Sequence, residues 1–214
     1  NHVVLVDLYN INKEMGMQIC MKLVWKGKLN KDEGFPTTDL PANAKMFLGE
    51  EKSTSYIPII IAILSFGIIV FKTKQRFVSD LLINPKSLWI GIALAVLFLI
   101  VHEIIHGLSC PKNCVVNYYY SIHGITAYPL SPMSRNRYIF MAMCPAIFLG
   151  FIPMIIWIFI PAKFVIINSI IFSFSWVSLS VSVADIYNSI KALKLPKNSL
   201  IQASGAKGYW FTNS

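Results

Sequence analysis

The residues best equipped for chemistry in this chain are two histidines four positions apart, His102 and His106, with Glu103 between them. On a helix, positions i and i+4 share a face, so both imidazoles can direct a nitrogen at one metal ion. Glu103 is then placed to take a proton from a metal-activated water. The setting sharpens the case. Leu88–Ser109 is otherwise apolar and of the length that crosses a bilayer. A charged side chain at the centre of such a helix costs about 2.5–3.5 kcal/mol even on the milder insertion scales. A cost of that kind marks function.

Two imidazoles do not hold a catalytic zinc by themselves; such sites use three protein ligands and keep a position for water. The metzincin extension needs a glycine three residues after His106 and a histidine six after it. Ser109 and Lys112 stand there instead. A downstream glutamate ligand is excluded as well, because Glu103 is the last glutamate of the chain. After Asp80 the only acids are Glu103 and Asp185, and both fall in apolar runs. A carboxylate persists there only if it is paired, and a cation beside two histidines would pair it. Asp185 is therefore the expected third zinc ligand beside His102 and His106, with His123 as the weaker rival and Glu103 as the catalytic base. His2 reads as plain surface. Gly107, directly after the second histidine, permits close approach of another helix. Pro145 and Pro153 should kink their helix and free carbonyls near the site. Asn188, one turn beyond Asp185, could orient a ligand.

The elements that must position these groups are helices in lipid. The 214 residues are 55% hydrophobic, with a mean hydropathy of +0.58, which argues against a soluble globular domain. Four apolar runs stand out: a short one at Tyr56–Phe71, then Leu88–Ser109, Ile139–Ile160 and Phe164–Ile186. The expected fold is an all-α membrane protein of about four transmembrane helices. A polar extramembrane segment occupies 1–55, the transmembrane domain 56–190, and a basic and polar tail 191–214. Ile11–Trp25 has loose helical periodicity, and Gly34–Ala42, with Pro36 and Pro41, should be irregular. Between the second and third spans, Val115–Tyr120 and Ile122–Tyr128 are β-branched and aromatic enough to form an interfacial β-hairpin.

The formal charge of +9 does not imply nucleic acid. The first 56 residues carry seven lysines and seven acids, and the excess lies in loops flanking the spans, where basic residues anchor against anionic lipid. Nine basic residues flank the face shared by the N-terminus, the 110–137 loop and the tail, against five on the other. That bias places both termini in the cytoplasm. Helices two and four then run the same way, bringing His102, His106 and Asp185 to similar depth. The four cysteines lack zinc-ribbon spacing and read as small buried groups, and no signal-peptide pattern opens the chain.

His102-Glu103-Ile104-Ile105-His106-Gly107 in a span resembles the site-2-protease type of intramembrane metalloprotease. So do Arg135-Asn136-Arg137-Tyr138 leading to Met143-Cys144-Pro145-Ala146, and Ala184-Asp185-Ile186 late in a span. The chain is more closely similar to a small bacterial family of membrane proteins known as "putative zincin peptidases", in which a Leu-Pro-x-x-Ala stretch like Leu40–Ala44 precedes the first span. The resemblance covers roughly residues 39–205. It implies Zn2+ held by His102, His106 and Asp185, with Glu103 as base, in a multi-pass protein of the bacterial cytoplasmic membrane. The chain departs from the best-known site-2 proteases in having Ala-Asp-Ile around the aspartate and no room for a PDZ-like insertion.

The expected function is that of an intramembrane zinc metalloprotease acting on membrane-protein or peptide substrates, with membrane lipid as surroundings and no nucleic-acid partner. Two alternatives stand beside it. One is a non-enzymatic membrane protein that binds or transports metal through the same three ligands. The other is a degenerate relative serving as an interaction partner. Glu103 separates them, since only a hydrolase requires that acid.

Overall fold

The computed structural model describes residues 22–30, 34–48, 60, 64, 84–112, 114–122, 124–161 and 163–212. The chain divides into two compact units. One comprises Asn1–Ser53, Glu103–Ala142 and Asn188–Ser214; the other comprises Thr54–His102 and Met143–Tyr187.

The second unit is helical, and several of its helices continue along the chain into segments of the first. Helix α1, Pro85–Leu97, is capped by Asn84, whose side-chain oxygen accepts from the Ser87 N–H at 3.2 Å, and it opens with a proline near its first position. Helix α2, Leu99–Leu108, continues it past Phe98, and together Pro85–Leu108 makes 24 residues. At 1.5 Å per residue that is about 36 Å, enough for the roughly 30 Å hydrocarbon layer. Helix α3, Arg135–Pro145, a π-helical stretch, Ala146–Phe151, and helix α4, Ile152–Phe159, form a second 25-residue span candidate. The two expected proline kinks are taken up here by a change of pitch. Pro145 removes one N–H from the ladder and the π-helical stretch follows it; Pro153 stands where that stretch gives way to α4 and removes another.

Helix α5, Val165–Val181, and helix α6, Val183–Leu193, are bent by 49° at their junction. The stretch expected as the fourth span thus has a bend. Its cause lies in the serines: Ser169, Ser173, Ser175 and Ser182 each donate a hydroxyl to the carbonyl four residues earlier, at 2.7–2.9 Å, a habit that bends helices. Two helices among the described residues are long and apolar enough to cross a membrane, or three if the bent pair is one span. They carry exposed Trp89, Leu97, Ile104, Phe148 and Phe159 outward. The expected first span, Tyr56–Phe71, lies outside the described residues apart from Ile60 and Leu64, which are helical.

Small residues draw α1 and α5 together. Ser87, Gly91 and Ala95 are buried at four-residue spacing on one face of α1, and a Cβ at Gly91 would meet the Ser173 hydroxyl and the Ile170 carbonyl. Met154, Trp157 and Leu179 form the other buried cluster of this unit.

The first unit corrects the all-α expectation. Among the described residues it holds seven strands in two sheets. Strands β1 (Lys22–Lys28), β3 (Val115–Ser121) and β4 (Gly124–Pro129) form one sheet in that order, with β1 parallel to β3 and β3 antiparallel to β4. Strands β2 (Lys45–Leu48), β7 (Lys207–Thr212), β6 (Ser199–Ser204) and β5 (Met133–Ser134) form the second, antiparallel throughout. The fold is mixed α/β. The hairpin expected between the second and third spans is present as β3–β4. Lys22–Trp25, which had read as the end of a helical segment, is strand instead, because its partner β3 is supplied from far along the chain. The tail likewise holds β6 and β7 joined through Gly205 and Ala206.

Gly34–Ala44 carries no regular element and runs across β6–β7. Thr38 ties it to β6: its N–H donates to the Ser204 hydroxyl and its own hydroxyl to the Ala203 carbonyl, both at 2.9 Å. Tyr128 in β4 shares its phenolic proton between the Pro36 and Gly205 carbonyls at 3.1 Å and stacks on Phe35. Cys110, Cys114, Val116, Tyr118, Met133 and Met141 form the core of this unit.

Candidate metal centre

The small-residue face of α1 points to the site. Ala95 is followed seven residues later by His102, two turns on, and His106 lies one turn further. Both histidines are buried, at 5% and 9% exposure. Asp185 stands in the first turn of α6, just after the bend at Ser182, and its Oδ2 lies 3.2 Å from His102 Nε2. His102, His106 and Asp185 are a group whose ligand atoms all lie within 4.8 Å of one another, and such a group could hold a metal ion.

The donor set fits zinc. A tetrahedral ion with bonds of roughly 2.0–2.1 Å separates its ligand atoms by about 3.3 Å, close to the His102–Asp185 spacing. The second histidine is oriented for the task. His106 Nδ1 lies 3.0 Å from the Met141 carbonyl oxygen. A carbonyl can only accept, so Nδ1 carries the proton and Nε2 presents the lone pair a cation needs. Pro145 explains why that carbonyl is available. It stands four residues after Met141, where a helical N–H would ordinarily arrive, and it has none. The carbonyl that the sequence expected proline to free is used in this way.

Glu103 turns towards the sheet. Its Oε2 accepts the Ala127 backbone N–H at 2.8 Å, and its backbone carbonyl accepts the Tyr118 hydroxyl at 3.3 Å. Tyr118 and Ala127 are direct partners across the β3–β4 hairpin. Among the described residues, strand β4 is at the edge of its sheet. Leu130 donates to Val115, so even-numbered residues of β4 bond to β3, while Ile125, Ala127 and Pro129 face outward. Gly107 is the second contact with the hairpin. A Cβ there would meet the Tyr118 hydroxyl and ring, so the close approach allowed by this glycine is to a strand residue, where another helix had been expected.

Burial pushes the Tyr118 phenol well above its usual range, with smaller contributions from Cys110 and Glu103. The hydrogen bond with Cys114, followed by burial, pushes the Cys110 thiol up as well. Both cysteines are free and buried. Arg137 donates to the Cys110 carbonyl at 2.8 Å, fixing the turn after α2. Sequence reasoning had passed over Tyr118, Ala127 and Met141. For Met141 the signal was the proline four residues on; the other two required knowledge of the hairpin register. His2 and His123 lie outside the described residues. Asn188 is half-buried on α6, three residues past Asp185.

Residues 95–200 match the model of a protein family described as "putative zincin peptidase". The match spans just under half of the chain, includes all four candidate site residues, and supports a zincin-like peptidase, for which zinc is the implied metal. No curated protein and no solved structure matches the chain.

Proposed function

We propose that this chain is a zinc-dependent endopeptidase that cleaves peptide bonds of membrane-protein or peptide substrates within or at the edge of the bilayer. The observation that carries the reading is the arrangement around one turn of α2. Two histidines on an apolar helix meet a second carboxylate, Asp185, while the acid between them is held separately by a sheet edge. The family match and the apolar helices support it.

His102, His106 and Asp185 are the residues that would hold zinc. When bound, zinc supplies Lewis acidity, polarising the scissile carbonyl and acidifying water. Glu103 takes the proton of the attacking water and passes it to the amine that leaves, so water is consumed and one carboxylate and one amine result. An extended substrate pairs with the outer edge of β4, which offers backbone groups beside Glu103. A helical substrate must unwind locally to do so, because its carbonyls are otherwise engaged. The protein sits as a multi-pass protein of a bacterial cytoplasmic membrane with both termini in the cytoplasm.

The test pairs metal analysis with proteolysis of transmembrane peptides in proteoliposomes. Glu103→Gln should keep its zinc and lose cleavage, by a factor of about 100 or more. His102→Ala and Asp185→Ala should lose zinc and cleavage together. Metal transport surviving Glu103→Gln, with no proteolysis by the parent chain, would refute the hydrolase and favour a metal carrier.

A further inference from the structure

Glu103 is one helical turn from Gly107, and the Tyr118 phenol covers both. Its ring occupies the space that any side chain at position 107 would need, and its hydroxyl reaches the Glu103 carbonyl. That carbonyl belongs to the helical bond row leading to Gly107, so the phenol bonds to the same turn it leans against. Directly across the hairpin, Ala127 grips the Glu103 carboxylate. One register pair of the sheet therefore holds the same residue by its backbone and by its side chain. Tyr118 is itself fixed: it is buried at 7% exposure among Cys110, Cys114, Val116, Met133 and Met141.

We propose that Tyr118, seated against Gly107, is a positioning residue that fixes the turn of α2 carrying Glu103. The proposal rests on the peptidase reading for its effect on rate, but its mechanical content does not. Glycine at 107 is required because the phenol needs that volume, and Tyr118 is required because its hydroxyl sets where the turn lies. A base displaced by about 1 Å from its working place costs about 100-fold in rate, and losing one hydrogen bond costs up to about tenfold.

The experiment uses the full chain in nanodiscs loaded with zinc and compares Tyr118→Phe, Gly107→Ala, Tyr118→Leu and the double variant Gly107→Ala/Tyr118→Leu. Three quantities are read: zinc content, kcat and KM on a quenched transmembrane peptide, and amide hydrogen exchange over residues 103–108. Tyr118→Phe should keep its zinc and its KM, with kcat lowered up to about tenfold and faster exchange over the turn. Gly107→Ala should lower kcat about 100-fold in the parent and have no further effect once Tyr118 is leucine. The proposal is overturned if Gly107→Ala is equally harmful in both backgrounds, or if Tyr118→Phe matches the parent in both kcat and exchange. Should Gly107→Ala fail to fold, the Tyr118→Phe result decides. If the zinc-loaded parent cleaves nothing, the peptidase reading fails, while the exchange data still judge the clamp.

Discussion

His106 and Glu103 share a helical turn, yet each is steadied by a different backbone group. His106 gives its Nδ1 proton to Met141, and Glu103 takes the Ala127 N–H. The first arrangement depends on a missing atom: proline at 145 leaves the Met141 carbonyl without its usual helical donor. Pro145→Ala should return an N–H to that carbonyl and compete with the imidazole. Loss of such an outer partner lowers metal affinity by about 10–100-fold, so chelator competition should show zinc bound at least about tenfold more weakly. Unchanged affinity would show that His106 is oriented by other means. At this scale much was legible in advance. His102, Glu103 and His106 declare themselves through spacing, and Asp185 by being the last acid of the chain. The groups that aim them are backbone atoms, which sequence cannot distinguish from any others.

Elements were less evenly readable. The β3–β4 hairpin shows in its own composition, because both strands are local and rich in tyrosine and β-branched residues. Strand β1 could not be found that way, since its partner lies more than ninety residues off and is parallel to it. Strands β6 and β7 did carry a signal, with two short runs around Gly205-Ala206, but the lysines nearby made the tail look solvated. The stretch Gly34–Ala42 is irregular, as its turn-formers predict; what fixes it is Tyr128. Burial, and secondarily the neighbouring Tyr119, pushes that phenol up to about 12 from 10.0. The folded protein therefore keeps a proton that the unfolded chain gives up near its ordinary value. Stability from this group is whole below pH 10.0 and falls as pH approaches about 12. Tyr128→Phe should be less stable at neutral pH by about 1 kcal/mol and should lose less than the parent on going alkaline. Parallel stability–pH curves for the two proteins would contradict this account.

For the molecule as a whole, hydropathy marks helices long and apolar enough to cross a membrane but hides the sheets, because the apolar runs dominate the average. A mixed fold with strands before, between and after helical segments has long-range pairings that no local window detects. The three residues that could hold a metal ion come from α2 and α6, more than eighty residues apart in sequence for His102 and Asp185. Binding at such a point stabilises the folded state, by about 2.7 kcal/mol when the free ion is at 100 times its dissociation constant. Chelation should thus lower the melting temperature of the parent and leave that of Asp185→Ala unchanged; equal shifts in both would place the ion elsewhere. One contact has a wider reach. The outward N–H of Ala127 is already spoken for by Glu103, and Pro129 beside it has no N–H to offer. A strand pairing at this border would have to displace the Glu103 carboxylate from Ala127. Under the proposed hydrolysis, pairing of a guest at this border and transfer of the Ala127 N–H away from Glu103 would be a single exchange.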